Sequence, residues 1–261
     1  MGGTMVRLAS ANQEFRVVGG TEQKTSPTLG KDIGTLAGIA PLGVVAEPDL
    51  DRVLADANAQ VVIDFTQSKA STEHARICAA RKVALVIGST GFAADERSQV
   101  AGHAQKVPIV LAPNMSVGVN LMIRVAGELA KVLGDSFDVE ILEVHHRMKK
   151  DAPSGTALRL AEEVAASLGR SPSEFRLARE GQVGERRSKE IGIQALRGGD
   201  VVGDHTVFFL GEGERIELTH RATSRDQFGK GALRAARWVV NQPPGLYDMQ
   251  DVLGPRGGIK Q

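Results

Sequence analysis

Cysteine is nearly missing from this chain: Cys78 is the single one in 261 residues. No intrachain disulfide framework can form, and no cysteine cluster offers a zinc site. Within Ala75 to Ala80 it is expected as a small buried helix residue, not a reactive thiol. An excess of charge of one sign is also missing. Lys plus Arg number 32 and Asp plus Glu 31, for a formal net charge of +1, so nothing global favours nucleic acid or a membrane surface. No apolar run approaches the roughly 18 residues a membrane span needs. The N-terminus carries no signal-peptide pattern, and a cytoplasmic protein is expected.

What the chain does have is alternation. Met5, Leu8 and Ala9 suggest the inner face of a helix running to about Ala11, and Phe15 to Gly19 suggests a strand. Helix then strand recur: Asp49 to Ala57, Val61 to Phe65, Ser71 to Ala80, Val83 to Ile87, Ala94 to Gln105 and Ile109 to Ala112. Such alternation implies an α/β fold, a doubly wound parallel sheet covered on both faces. A long apolar helix, Val119 to Leu133, leads out of it. After Gly169 the pattern becomes strands without helices, Ile191 to Leu196, Val201 to Leu210 and Arg215 to Ala222, the last two joined by Gly211-Glu212-Gly213. This predicts a second, α+β domain with a mixed or antiparallel sheet. Phe228 to Val240, with the only Trp, returns to helical spacing, and Pro243-Pro244-Gly245 ends it. The expected domains are 1–116 with 227–261, and 117–226. Long strands in the second could pair or pack between subunits, so a homo-oligomer is expected, a tetramer.

Ligands of doubly wound sheets gather at the carboxyl ends of strands. Three such ends carry small or polar residues: Asp64-Phe65-Thr66, Gly88-Ser89-Thr90-Gly91 and Ala112-Pro113-Asn114-Met115-Ser116. Singly each is an ordinary turn; together they suggest a cofactor ledge. Glu22 lies about 20 residues beyond Gly2, the separation expected between the last glycine of a dinucleotide fingerprint and its ribose-binding acid. Yet no strand and no G-x-G-x-x precede Gly2. Arg225 and Phe228, at the return to the first domain, are further cofactor candidates, with a hinge as the alternative.

The chemistry concentrates in Glu143 to Ala157, EVHHRMKKDAPSGTA. Asp138 to His146 is expected as a strand, and adjacent strand residues face opposite ways, so His145 and His146 should have different jobs. Pro153 marks a loop. A helix follows with Ala157, Leu158, Ala161, Val164, Ala165 and Leu168 inward, stopped by Gly169. That places Ser154 near the N-cap, where the N–H groups of Ser154, Gly155 and Thr156 can hold an anion such as a substrate carboxylate, helped by Lys149 and Lys150. Singly, Ser154 is a plain cap, the lysines a solvated turn and the histidines a strand end. Their convergence on one junction favours catalysis. No third ligand at a sensible spacing supports a metal, and a Ser-Lys nucleophile would leave the histidines unexplained.

On these residues the chain resembles the 4-hydroxy-tetrahydrodipicolinate (dihydrodipicolinate) reductase family of bacterial and plant lysine synthesis, over nearly its full length. HHRMKKDAPSGTA is the most specific motif, joined by VIDFT, VIGSTGF, APNMSVGVNL, EGQVGERR, GDHTVFF and GLYDMQDVLG. The resemblance implies that NAD(P)H delivers hydride to a cyclic dicarboxylic imine formed by loss of water. His145 and Lys149 would be the proton-donating pair. His146, Ser154, Gly155 and Thr156 would hold the carboxylates, with Lys150 nearby. Gly88, Ser89, Thr90, Ala112, Pro113, Asn114 and Met115 would line the nicotinamide side, and Glu22 would take the adenosine ribose. Gln23 stands where an Arg often grips the 2′-phosphate of NADP, which favours NADH, while Lys24 keeps NADPH open. The family's first strand and most of its glycine loop are absent, so a start placed too late or a truncation is expected. Two rivals remain: another NAD-dependent imino- or keto-acid reductase, and an impaired homologue that binds dicarboxylate without turnover.

Overall fold

The structure, a computed structural model, describes residues 1–255. It divides into two compact units, Met1–Val117 with Asp226–Pro255, and Gly118–Arg225.

The chain opens with α1 (Gly2–Ser10), which buries Met5 and Ala9. The strand expected at Phe15 to Gly19 does not form. Only Gly20–Thr21, β1, pairs, and it pairs in parallel with β2 (Ala46–Glu47) in a separate two-stranded sheet. Phe15 and Val17, half-buried, still pack against the core, which accounts for their alternation. A strand also needs a neighbouring backbone, and no ladder reaches this segment. Between the two short strands lies α2 (Ile33–Leu36), and the loop around it is organised by one carboxylate. Asp32 accepts the N–H groups of Thr35, Leu42, Gly43 and Val44.

The expected alternation then follows: α3 (Leu50–Asp56), capped by Asp49, β3 (Val61–Asp64), α4 (Ser68–Arg81), β4 (Ala84–Ile87), α5 (Ala94–Ala104) and β5 (Pro108–Leu111). Every residue of β4 is buried, as a strand covered on both faces requires. Its residues split between two cores. Val86 packs with α1 and the C-terminal helix described below; Leu85 and Ile87 pack with α3, α4 and α5.

In the second unit α6 (Val117–Leu133) leads to β6 (Asp138–His145). Next come α7 (Gly155–Ser167), the short β7 (Phe175–Arg176), β8 (Ile191–Arg197), β9 (Gly203–Leu210) and β10 (Arg215–Ala222). The sheet order is β10-β9-β6-β8-β7. β6 runs parallel to β8 and antiparallel to β9, so the sheet is mixed. Its inner face, Val139, Ile141, Ile191, Ile193, Val207 and Phe209, packs on α6 and α7, each large side chain contributing about 1.5–3 kcal/mol of burial. Gly169, at φ +65°, takes the left-handed position just past the α7 C-cap.

The chain returns to the first unit with α8 (Asp226–Val239), β11 (Gly245–Tyr247) and α9 (Met249–Val252). β11 falls where the Pro-Pro-Gly stretch suggested only a stop. Three residues carry no periodicity, yet they pair in parallel with β5 and complete a sheet of order β11-β5-β4-β3.

Candidate active site

The regular alternation of β6 sorts its last residues. Val139, Ile141, Glu143 and His145 point inward, and the inner row changes from apolar to ionisable as it nears the strand end. His145 is 9% exposed and Glu143 is fully buried. His146 lies just past the strand and is half-buried, with its N–H donated to the Val201 carbonyl. The two imidazoles therefore differ in environment, as the period of two requires.

A carboxylate wholly out of water needs partners on both oxygens. Glu143 has four. Its Oε2 accepts from His145 Nδ1 at 2.6 Å and from an Arg197 guanidinium nitrogen at 2.7 Å. Its Oε1 accepts from the Ser154 N–H at 2.9 Å and from the other Arg197 nitrogen at 2.8 Å. Burial pushes the Glu143 carboxyl up, but Arg197, His145 and the Ser154 amide together hold it below the usual carboxylate range. Because an ionised carboxylate only accepts, His145 carries its hydrogen on Nδ1 and turns Nε2 away.

Ser154 is the N-cap of α7. Its Oγ accepts from the Ala157 N–H at 3.1 Å and sits 3.0 Å from His205 Nε2 on β9. The sequence suggested that the Ser154 N–H would meet a substrate anion, but it meets Glu143. Gly155 is exposed at the first helical position and Thr156 is half-buried beside it. His205 stands edge-on to His145, ring centroids 5.1 Å apart. Burial first, then the neighbouring His145, drives its pKa down to about 3, so it is neutral at physiological pH. Gly203 on the same strand lets His145 approach: a Cβ there would come 2.9 Å from His145 Nε2. In the turn after β6, Lys149 Nζ bonds Asp151 at 2.9 Å, and Arg197 also donates to the Asp151 carbonyl at 2.7 Å. Lys149 is near enough to help depress His205; Lys150 is exposed. The second unit thus gathers His145, Lys149, Ser154 and the α7 N-terminus. Glu143, Arg197 and His205 are the members that sequence reasoning left without a role. Glu143 was signalled by its place two residues before His145 on a strand, and His205 by alternation with Val207 and Phe209.

In the first unit the candidate residues fall at the ends of β3, β4 and β5. Asp64, 3% exposed, accepts from the Thr66 N–H and hydroxyl and bonds His74 Nδ1 at 2.7 Å. Burial raises its pKa, but His74 and Thr66 outweigh that and keep it low. Ser89 is buried and takes the Ser71 hydroxyl at 2.9 Å, while Thr90 is exposed. Gly88 packs so closely on the Phe65 ring that a Cβ would collide with it. After β5, Ala112 and Met115 are buried in the core, Pro113 is exposed and Asn114 is half-buried. Phe228 packs against the same core, and Arg225 is exposed. Glu22 is exposed just after β1, its N–H held by the Glu47 carbonyl. Among the described residues no group of three or more His, Cys, Asp or Glu side chains is placed to hold a metal ion. Cys78 is fully buried and its thiol is pushed up to about 12 by burial, which makes it inert.

Comparison with known proteins covers both units. The family model "Dihydrodipicolinate reductase, N-terminus" matches residues 1–115, and "Dihydrodipicolinate reductase, C-terminus" matches residues 118–253. The chain is 61% identical over 254 residues to the 4-hydroxy-tetrahydrodipicolinate reductase of Myxococcus xanthus, covering 97% of this chain and 94% of that protein. It is 59% identical over 259 residues to the protein of that name from Anaeromyxobacter dehalogenans, covering 99% and 95%. Among solved structures, it is similar to a dipicolinate-bound dihydrodipicolinate reductase from Paenisporosarcina, with TM-score 0.74, 26% identity, and 94% and 92% of the two chains covered. An amine dehydrogenase from Mycobacterium smegmatis, at TM-score 0.57 and 15% identity, shares the fold alone.

Proposed function

The chain belongs to the dihydrodipicolinate reductase family, and on that ground we propose that it reduces 4-hydroxy-tetrahydrodipicolinate to tetrahydrodipicolinate with loss of water. It is an oxidoreductase that uses a pyridine nucleotide. The strand ends of the first unit leave Thr90 and Pro113 exposed and Asn114 half-buried, which suits a ligand lying along the carboxyl ends of β4 and β5. Gly88, Ser89, Thr90 and Ala112 to Met115 would hold the nicotinamide end, Glu22 the ribose, and Arg225 and Phe228 are further contacts. When bound, the nucleotide supplies the hydride.

The observation that carries this reading is the junction of β6 and α7. Addition of hydride to a ring imine leaves negative charge on the ring, which a cationic donor stabilises and then protonates. His145 offers Nε2 for that proton, with Nδ1 occupied by Glu143. Lys149 supplies positive charge, and the start of α7 with Gly155, Thr156 and His146 receives the two carboxylates. The dipicolinate named in the Paenisporosarcina structure is a dicarboxylate of this kind. Turnover is tested by following NADH and NADPH oxidation with enzymatically generated substrate. Lys149→Ala should lower kcat by about two orders of magnitude or more while dinucleotide affinity stays near normal; unchanged turnover refutes the role. Dinucleotide or dicarboxylate binding without any oxidation would favour the impaired homologue, and faster oxidation with another imino or keto acid the rival reductase.

For the cofactor the reading favours NADH. Glu22 Oε1 accepts the Gln23 N–H at 2.9 Å, and Gln23 brings no charge to a 2′-phosphate. A tighter apparent affinity for NADPH would reverse it, Lys24 being the nearby cation. The reading also includes a cytoplasmic homotetramer assembled through the mixed sheet. Leu196 is 53% exposed on it, and Leu142, Val144, Thr206 and Phe208 on the outer face are only half-buried. Sedimentation of the purified protein tests the subunit number. Among the described residues no helix is long and apolar enough to cross a membrane.

A further inference from the structure

We infer that Glu143 is the positioning residue of this site, holding His145 in the tautomer and orientation that present Nε2 for proton transfer, with Arg197 sharing its charge. The inference rests on the reading of His145 as proton donor. Glu143 cannot touch the reacting ring itself. Its two oxygens offer about four acceptor directions, and four donors fill them: His145 Nδ1, the Ser154 N–H and two Arg197 nitrogens. It is fully buried. Its effect must pass through these partners.

The geometry gives each partner a consequence. The 2.6 Å bond to Nδ1 fixes which ring nitrogen carries the hydrogen in the neutral form and pairs with the ring when it is an imidazolium. The Ser154 bond ties the same carboxylate to the first turn of α7, so the proton donor and the carboxylate-binding terminus are held in one register. Arg197 meets both oxygens of the carboxylate, and a bidentate guanidinium of this kind shares its charge and fixes its plane, and with it the direction of the bond to Nδ1. The charged and titratable groups around His145 are Glu143 on its own strand, Arg197 on β8, His205 on β9 with His220 as its cross-strand partner on β10, and Lys149 and Asp151 in the following turn. The Ser154 hydroxyl lies there too, 3.0 Å from His205 Nε2. Of these, Glu143 alone bonds the His145 ring.

The tautomer of His145 is a readout that a residue needed only for folding would not move. ¹⁵N-detected NMR of the full chain labelled at histidine reads that tautomer, and kcat against KM reads the reaction. In the unmodified chain the neutral ring should be the Nδ1–H tautomer. Glu143→Gln, whose amide can donate to Nδ1 where the carboxylate only accepts, should bring in the Nε2–H tautomer and reduce kcat on the order of 100-fold with KM changed only a few-fold. Arg197→Gln, which leaves the Glu143 acceptor in place, should keep the Nδ1–H tautomer. A dominant Nε2–H tautomer in the unmodified chain overturns the inference, whether or not Glu143→Gln folds. So does an Nδ1–H tautomer that Glu143→Gln leaves unchanged, or that Arg197→Gln loses equally. If the unmodified chain turned over no substrate, the proposed reaction would fail, while the spectra would still decide whether Glu143 sets the state of His145.

Discussion

Lowering the pH from 7.5 to 5 should destabilise the second unit through one imidazole. His205 is 4% exposed, and its Nδ1 has no hydrogen-bond partner among the described residues. Burial and the adjacent His145 put its folded pKa at about 3, whereas an unfolded histidine titrates near 6.5. Between those values the unfolded chain binds a proton that the folded chain refuses. Stability from this group is therefore complete above about pH 6.5, falls as the pH drops through the window, and levels off below about pH 3. A pH of 5 lies about 1.5 units below the unfolded pKa, and the resulting loss is about 2 kcal/mol. That figure depends on the unfolded value and hardly at all on how far below pH 4 the folded value lies.

The assay must report the right unit. The only Trp and Tyr, Trp238 and Tyr247, belong to the first unit, so fluorescence would miss the effect. Amide hydrogen exchange of β6 and β9, corrected for the intrinsic pH dependence of exchange, reads the second unit directly. His205→Gln keeps a polar group toward Ser154 but cannot titrate. Between pH 7.5 and 5 the unmodified chain should lose about 2 kcal/mol more than this variant. Equal losses would show that His205 accepts a proton in the folded state and would refute the argument.

Gly231→Ala should destabilise the first unit by about 3 kcal/mol, because a Cβ there would collide with the Met115 carbonyl; denaturant unfolding followed by Trp238 fluorescence measures it. Cys78 should resist iodoacetamide at pH 8 in the native protein and react fully in denaturant, since the thiol is buried with its pKa raised to about 12. Asp32→Ala should abolish exchange protection of the Leu42 to Val44 amides, whose N–H groups Asp32 accepts, while leaving the β3 to β5 ladder protected.

The elements legible in the sequence are those whose periodicity runs over at least four residues with a buried side. The helix and strand succession from α3 to β5, and the three long strands β8 to β10, all qualify. β11 was invisible because three residues cannot display a period, and because Pro243-Pro244 marks the end of a helix as well as the approach to a strand. Phe15 to Gly19 shows the converse. Its alternation is real and its apolar side chains pack, but a strand is defined by its neighbour's backbone, which local sequence does not contain. Asp32 escaped notice because its acceptors' partners lie up to 12 residues away.

The site divides along the same line. His145, Lys149 and Ser154 sit within ten positions of one another, so their convergence could be argued from a strand, a proline and a cap. Arg197 reaches Glu143 from 54 residues away, and His205 reaches Ser154 from 51. Only the register of β6 with β8 and β9 brings them in. The start of α7 does take an anion, but it is the chain's own Glu143, 11 residues back, that accepts the Ser154 N–H. With Glu143 on the Ser154 amide, a substrate carboxylate held here, as proposed, would be met by other groups, the exposed Gly155 among them. The buried carboxylate at this terminus bonds the imidazole beside it, and in the proposed reaction the polar end of β6 would hold a proton where the ring needs it.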